Sequence, residues 1–249
     1  MSTSTGASAT LDPAEVDRFR RMAEEWWDAK GKFRPLHQIG PARIGFTRDE
    51  ATRHFGRATG NLRPLEGLSL IDIGCGGGLV AEPLARLGAR VTGIDPTERN
   101  IEIARLHAEA SGLDIDYRSV VAEDVAATGA RFDIVVCLEV VEHVPDVGQF
   151  TKVIRQLLAP GGLMIVSTLN RTLKSFALAI VGAEYVLRWL PRGTHRWDRF
   201  VTPEELRRHL EAAGLSQREI RGMVYNPLAD VWSLGQDTDV NYLVSATEA

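Results

Sequence analysis

The chain has 249 residues, 44% hydrophobic and 25% charged, with a formal net charge of −4 and two cysteines. That length carries a core large enough to fold without metal or disulfide cross-links, and the apolar content excludes a disordered chain. The acidic balance argues against nucleic-acid binding, and no apolar run reaches the roughly eighteen residues of a membrane-spanning helix.

Residues 1–11 are mostly small and polar and read as a disordered tail; they lack the basic and apolar regions of a signal peptide and the arginines of a transit peptide. Asp12, Pro13 and Glu15 form a capping-box start, and Val16, Phe19, Met22, Ala23, Trp26 and Trp27 recur at helical spacing up to Lys30-Gly31. The stretch 33–46, FRPLHQIGPARIGF, carries two prolines and mixed charge and reads as an irregular lid or linker. Strands are expected at 69–74, 90–95, 115–120, 132–138 and 162–169, with helices at about 77–88, 97–112 and 146–159 between them. The alternation predicts a parallel sheet covered on both faces. LAPGGL (158–163) is a turn signal, Thr202-Pro203-Glu204-Glu205 opens a capped helix, and 239–248 reads as a closing strand. No internal repeat is found, so 12–249 is expected to be one α/β domain with an N-terminal helix-and-lid appendage over 12–60. Cys75 and Cys137 make no metal-ligand pattern and read as buried thiols of a reducing compartment.

The strongest local signal is Ile71-Asp72-Ile73-Gly74-Cys75-Gly76-Gly77-Gly78-Leu79, which leaves a strand, turns on glycines and enters a helix. Glycine is required where backbone turns sharply or lies against a ligand. Gly74-x-Gly76 fits the first half of a dinucleotide fingerprint, but its sixth position is Leu79. Asp95 ends the second strand, 21 residues after Gly74, where an acid can accept both hydroxyl hydrogens of a ribose. Loop and acid together indicate an adenosine-type ligand. They do not separate a nicotinamide cofactor from S-adenosylmethionine.

D-I-G-C-G-G-G followed by G-I-D resembles the first two motifs of class I S-adenosylmethionine-dependent methyltransferases. Four further segments, WWDAKGKFRPLHQIGPARIGF (26–46), LEVVEHV (138–144), STLNRTLKSFALAIVGAEYVLRWLPRGTH (167–195) and DVNY (239–242), resemble the ubiquinone-biosynthesis O-methyltransferase family. The resemblance runs from about Val16 to the C-terminus. It implies a Rossmann-like sheet, mostly parallel with an antiparallel C-terminal strand, and methyl transfer to hydroxyls of polyprenyl catechol intermediates. It also implies roles for individual residues. Gly74 and Gly76 would let backbone approach the methionine part of the cofactor, Asp95 would hold the ribose, and Arg43 would pair with the cofactor carboxylate. Leu138 would line the cofactor, and Ala122 and Glu123 would flank the adenine. Many methyltransferases carry G-D-A-E there, whereas this chain has Val120-Val121-Ala122-Glu123, which removes the usual aspartate contact.

Methyl transfer from a sulfonium is an in-line displacement, so the protein mainly positions two reactants. The acceptor must also lose a proton, and an unperturbed phenol has a pKa of about 10. On a helix Glu139, Glu142 and His143 would be i, i+3 and i+4 on one face after the fourth strand, where the acceptor should sit. Such a set suits a divalent cation with open positions, or a metal-free site with His143 as general base, or only an acidic helix start. The resemblance favours a cation, Mg²⁺ or a similar ion held by Glu139, Glu142 and His143.

Residues 175–191, SFALAIVGAEYVLRWLP, are apolar but too short to span a bilayer. Arg171, Lys174, Arg188, Arg192 and Arg196 flank them, with Trp189 and Trp197 among the basic residues, a composition suited to the headgroup boundary. By composition alone a buried helix over the active site is the competing reading. With the polyprenyl acceptor that the resemblance implies, 172–197 is expected to bind an anionic membrane surface reversibly. The expected location is then the cytoplasmic face of the cell membrane, beside other proteins of ubiquinone biosynthesis. Ser167, Thr168 and Asn170 receive no role. His37 and His195 are loop histidines expected to be satisfied or solvated, and Cys75 is expected to pack rather than react. The first alternative is an O-methyltransferase for another small phenolic acceptor, since the first motifs do not choose the acceptor. Two other classes compete less strongly: a nicotinamide oxidoreductase, which needs the glycine Leu79 replaces, and a lipid-binding module without catalysis.

Overall fold

The computed structural model describes residues 26–31, 33–58, 60–178, 196–226 and 228–249. The expected tail, the helix start at Asp12, most of the apolar stretch 175–191 and His195 lie outside the described residues. Helix α1 is Arg34–His54, followed by β1 (Ser69–Ile73), α2 (Ala81–Arg86), β2 (Arg90–Ile94), α3 (Glu98–Ala110) and β3 (Asp116–Arg118). Then come α4 (Ala122–Ala127), β4 (Phe132–Leu138), a 3-10 turn at Val141–His143, α5 (Val147–Leu157) and β5 (Leu158–Leu169). Helix α6 (Pro203–Ala212) and strands β6 (Leu215–Asn226), β7 (Val231–Gly235) and β8 (Asn241–Glu248) complete the order.

The eight strands form one sheet in the order β3-β2-β1-β4-β5-β8-β6-β7. Strands β1 to β5 are parallel, with Ile71 opposite Thr92 on one side and Val135 on the other. Strand β8 runs antiparallel to β5, placing Val166 against Val244. The expected closing strand is therefore correct, but the antiparallel part also contains β6 and β7, which the residue pattern did not announce. Their side chains explain why: β6 reads LSQREIRGMVYN without clean alternation, and β7 is an outer strand with Val231 and Leu234 exposed. Alternation along the inner strands splits the core between two faces. Ile71, Val135, Cys137 and Val166 pack with α5 and α6, whereas Leu70, Ile134, Val136 and Ile165 pack with α1, α2 and α3.

The stretch 33–46 is not irregular. It forms most of α1, with Pro35 in the first turn, where a missing N–H costs nothing, and Pro41 tolerated inside. Ile39, Arg43, Phe46, Thr47, Glu50 and Ala51 make its buried face at helical spacing. Two charged members of that face hid it from a hydrophobic reading. Glu50 is satisfied by the Ser245 hydroxyl at 2.7 Å and by Arg53. The turn signal at LAPGGL is realised as an irregularity at the start of β5, where Gly161 has φ 70° and pairing shifts from Phe132–Leu158 to Ile134–Leu163. The predicted cap of α6 forms as a capping box between Thr202 and Glu205. No helix among the described residues is long and apolar enough to cross a membrane.

Candidate active site

Strand order reverses between β1 and β4, and the crevice beyond their carboxyl ends is where open α/β sheets bind ligands. The glycine loop lies there. Gly74, Gly76 and Gly78 have φ of 74°, 53° and 91°, backbone that only glycine adopts freely. A Cβ on Gly74 would fall 2.5 Å from Val140 Cγ2, and one on Gly76 would fall 2.6 Å from the Trp26 ring. The loop is tied to β2 by Gly74 N–H and Cys75 N–H, which donate to the Ile94 carbonyl at 2.8 and 3.0 Å. Cys75 and Cys137 are buried free thiols, and burial pushes both well above the usual thiol range, so packing is their part here.

Asp95 is buried at the end of β2. Its Oδ2 accepts from Gly76 N–H at 3.2 Å, and its Oδ1 accepts from Thr97 N–H at 2.8 Å and Asn100 Nδ2 at 3.1 Å. Burial raises its pKa, and these donors oppose the rise. Three donors leave about one of the roughly four acceptor sites of this carboxylate, on Oδ2. As arranged it can take one ribose hydroxyl, and a second only where a present donor gives way; the cradle of glycine backbone beside it suits an adenosine-bearing ligand. Leu138 ends β4 in a buried position, Ala122 is buried at the start of α4, and Glu123 follows it with a buried Oε1 that lacks a hydrogen-bond partner.

Asp72, one strand residue before the loop, is buried with an unpartnered Oδ2, and burial together with the Asp95 charge pushes its pKa up to about 7. The native protein therefore keeps a proton that the unfolded chain releases near its ordinary value of 3.8. Stability from this group is complete below that value and is lost as pH rises to about 7. Asp72→Asn is expected to raise the melting temperature near pH 8 and leave it nearly unchanged near pH 4. The gain at the higher pH is on the order of a few kcal/mol, because a neutral amide has no charge to desolvate. Equal changes at both pH values in thermal melts would rule the charge out as the cause.

The second half of the site is the β4 exit. Glu139 has φ 56°, a left-handed conformation uncommon for a non-glycine residue. Arg43 Nη2 lies 2.9 Å from its Oε1, and the Ser167 hydroxyl donates to the same oxygen at 2.9 Å. Glu142 is buried; Thr168 Oγ1 donates to its Oε2 at 2.8 Å, and its Oε1 has no partner. Burial and the Glu139 charge hold the Glu142 carboxyl well above the ordinary range. His143 is half-buried at the end of the 3-10 turn, its backbone N–H donating to Val140 O at 2.8 Å.

The helical face expected for Glu139, Glu142 and His143 does not form. Glu139 sits before the turn, and the turn is a single 3-10 element, so the three side chains leave the backbone differently. Glu139 is drawn to Arg43, and among the described residues no three His, Cys, Asp or Glu side chains group to hold one ion. The set as arranged does not fit a cation, and no step is derived through one. Arg43 rides on the buried face of α1 and meets a carboxylate, that of Glu139. Ser167 and Thr168, to which the residue pattern gave no role, hold Glu139 and Glu142; the signal was a pair of hydroxyls just before the last residue of the otherwise apolar GLMIVSTL. His37 is satisfied by the Trp26 carbonyl at 2.8 Å, as expected of a loop histidine, although it lies in a helix.

Residues 44–220 match a family described as a methyltransferase domain. The ubiquinone biosynthesis O-methyltransferase of Azorhizobium caulinodans is 58% identical over 238 residues, covering 96% of this chain and 94% of the relative. The Rhodopseudomonas palustris protein of the same name is 56% identical over 246 residues, covering 99% and 96%. Among solved structures, magnesium protoporphyrin IX methyltransferase from Synechocystis PCC 6803 with bound SAH superposes with a TM-score of 0.65 at 21% identity, covering 95% of each chain, which shows the shared class I fold. The nicotinamide alternative, already weakened by Leu79, is thereby set aside, and the chain belongs to the ubiquinone biosynthesis O-methyltransferase family.

Proposed function

We propose that the chain transfers a methyl group from S-adenosylmethionine to a hydroxyl of polyprenyl catechol and demethylubiquinol intermediates of ubiquinone biosynthesis. One juxtaposition carries the reading: the glycine cradle with Asp95, and the Glu139–His143 turn, share the carboxyl edge of β1 and β4. The cofactor supplies an electrophilic methyl on a sulfonium. Gly74 and Gly76 approach its methionine part, Asp95 holds the ribose, Leu138 lines the cofactor, and Ala122 and Glu123 flank the adenine. Arg43 takes the cofactor carboxylate in exchange for Glu139, both being carboxylates suited to a guanidinium fork. His143 accepts the proton of the acceptor hydroxyl as the new bond forms.

We further infer a reversible attachment to anionic membrane on the cytoplasmic side, where quinone precursors and other proteins of the pathway are met. The described border of the apolar stretch supports it through its apolar side chains: Leu173, Phe176 and Leu178 are exposed there, whereas Lys174 is engaged by Asp237 and Asp239. The test is transfer of labelled methyl to a short-chain polyprenyl catechol, free and in anionic vesicles, with and without EDTA. Product is expected in both presentations, faster with vesicles to which the protein co-sediments. Full loss with EDTA would restore a cation to the site, and no product despite cofactor binding would remove the proposed acceptor.

A further inference from the structure

The glycine cradle already has an occupant from the same chain. Trp26 is buried, stacked on Phe33 at 4.1 Å between ring centroids and 13° between planes. Its indole Nε1 donates to Asn100 Oδ1 at 3.1 Å, and Asn100 Nδ2 in turn donates to Asp95 Oδ1 at 3.1 Å. The ring edge presses on Gly76 so closely that a Cβ there would lie 2.6 Å from Cζ2 and Cη2, and one on Gly77 would lie 2.7 Å from Trp26 Cβ.

Trp27 anchors this arrangement. Its Nε1 donates to the Gly77 carbonyl at 2.7 Å, and its ring stacks on His107 at 3.4 Å and 6°. His107 Nδ1 lies 2.6 Å from Oε1 of Glu82, a buried carboxylate that also faces Arg86. Neighbouring tryptophans thus have different parts. One is locked to the outside of the loop through α2 and α3, and the other lies across the backbone that a ligand must reach.

We propose that Trp26 is a gate on the cofactor cradle, displaced when S-adenosylmethionine binds, with the Trp27–His107–Glu82 contact as its anchor. The gate rests on the cofactor reading of the cradle. Trp26 covers the face of Gly76 from which a Cβ would project, so a ligand that lies against that face competes with the indole for it. The Asn100 carbonyl oxygen that Trp26 engages belongs to the side chain that orients Asp95, so opening the gate also frees a polar group beside the ribose acid. Binding is then weakened by the fraction of molecules with the gate open, and loosening the gate strengthens it.

The experiment is titration of the full-length protein with S-adenosylhomocysteine, followed by calorimetry and by tryptophan emission. Trp26→Ala is expected to tighten binding by about tenfold, corresponding to a gate open in roughly one molecule in ten. His107→Gln keeps a hydrogen bond to Glu82 but removes the stack on Trp27, and it is expected to tighten binding by a smaller factor. Most of the emission change seen with the wild-type chain should be missing in Trp26→Phe. Weaker binding by Trp26→Ala with an intact thermal melt would overturn the gate, showing that the ring covers the ligand instead. If that variant does not fold, unchanged or weaker binding by His107→Gln overturns it equally. A wild-type chain that binds no S-adenosylhomocysteine would overturn the cofactor reading itself, and the gate with it.

Discussion

Asp95→Ala is expected to weaken S-adenosylhomocysteine binding by about a hundredfold, the equivalent of one charge-assisted hydrogen bond to the ribose at ~3 kcal/mol. The carboxylate gathers Gly76 N–H, Thr97 N–H and Asn100 Nδ2 in one buried place, so its loss removes a ligand contact and an organiser of the loop together. Asp95→Asn separates the two. An amide presents one acceptor oxygen and one donor nitrogen, and donors reach Asp95 from both sides. With its oxygen turned to Thr97 and Asn100, its NH₂ meets the Gly76 N–H donor. Asparagine should therefore preserve the thermal melt better than alanine and still lose most of the affinity. Calorimetric titration of both variants checks this, and wild-type affinity in Asp95→Asn would show that the acid does not hold the ribose.

His143→Ala should lower kcat by about 10²- to 10⁴-fold while leaving S-adenosylhomocysteine affinity unchanged, the range for loss of a positioned proton acceptor. A phenol with a pKa of about 10 is mostly protonated at neutral pH, so the proton must leave as the oxygen attacks. Glu142→Gln is the companion variant. The amide oxygen of glutamine can accept from Thr168 Oγ1 as Glu142 Oε2 does, and burial favours a neutral group at that place. That variant should keep activity within about threefold if His143 works without a cation, and should lose it if Glu142 is a metal ligand. Steady-state rates for the two, measured with EDTA and with added Mg²⁺, decide between these chemistries. Full kcat in His143→Ala would end the assignment of the imidazole as base.

The parallel half of the sheet was legible because its strands bury both faces. Runs such as FDIVVCL are apolar almost throughout and can be little else between two helical periods. The cradle was legible for a similar reason. A strand, a glycine turn and an acid at the end of the next strand stand in a fixed relation along the chain, and parallel pairing of β1 with β2 brings them together. By itself, the sequence therefore determined the fold class, the glycine-loop corner with its acid, and the family. Helix α1 was not legible, because Arg43 and Glu50 sit on its buried face and are satisfied there by residues across the fold, Glu139 and Ser245, with Arg53 the local partner of Glu50. The outer hairpin of β6 and β7 carried no pattern because so little of β7 is buried. Tertiary structure alone decided what Glu139 does, since whether a carboxylate faces an ion or a guanidinium depends on the helix packed over it. It also decided that Trp26 lies on Gly76. Local spacing is set by neighbours along the chain, whereas the partner of a buried charge or an indole is set by segments that meet only once the sheet has formed.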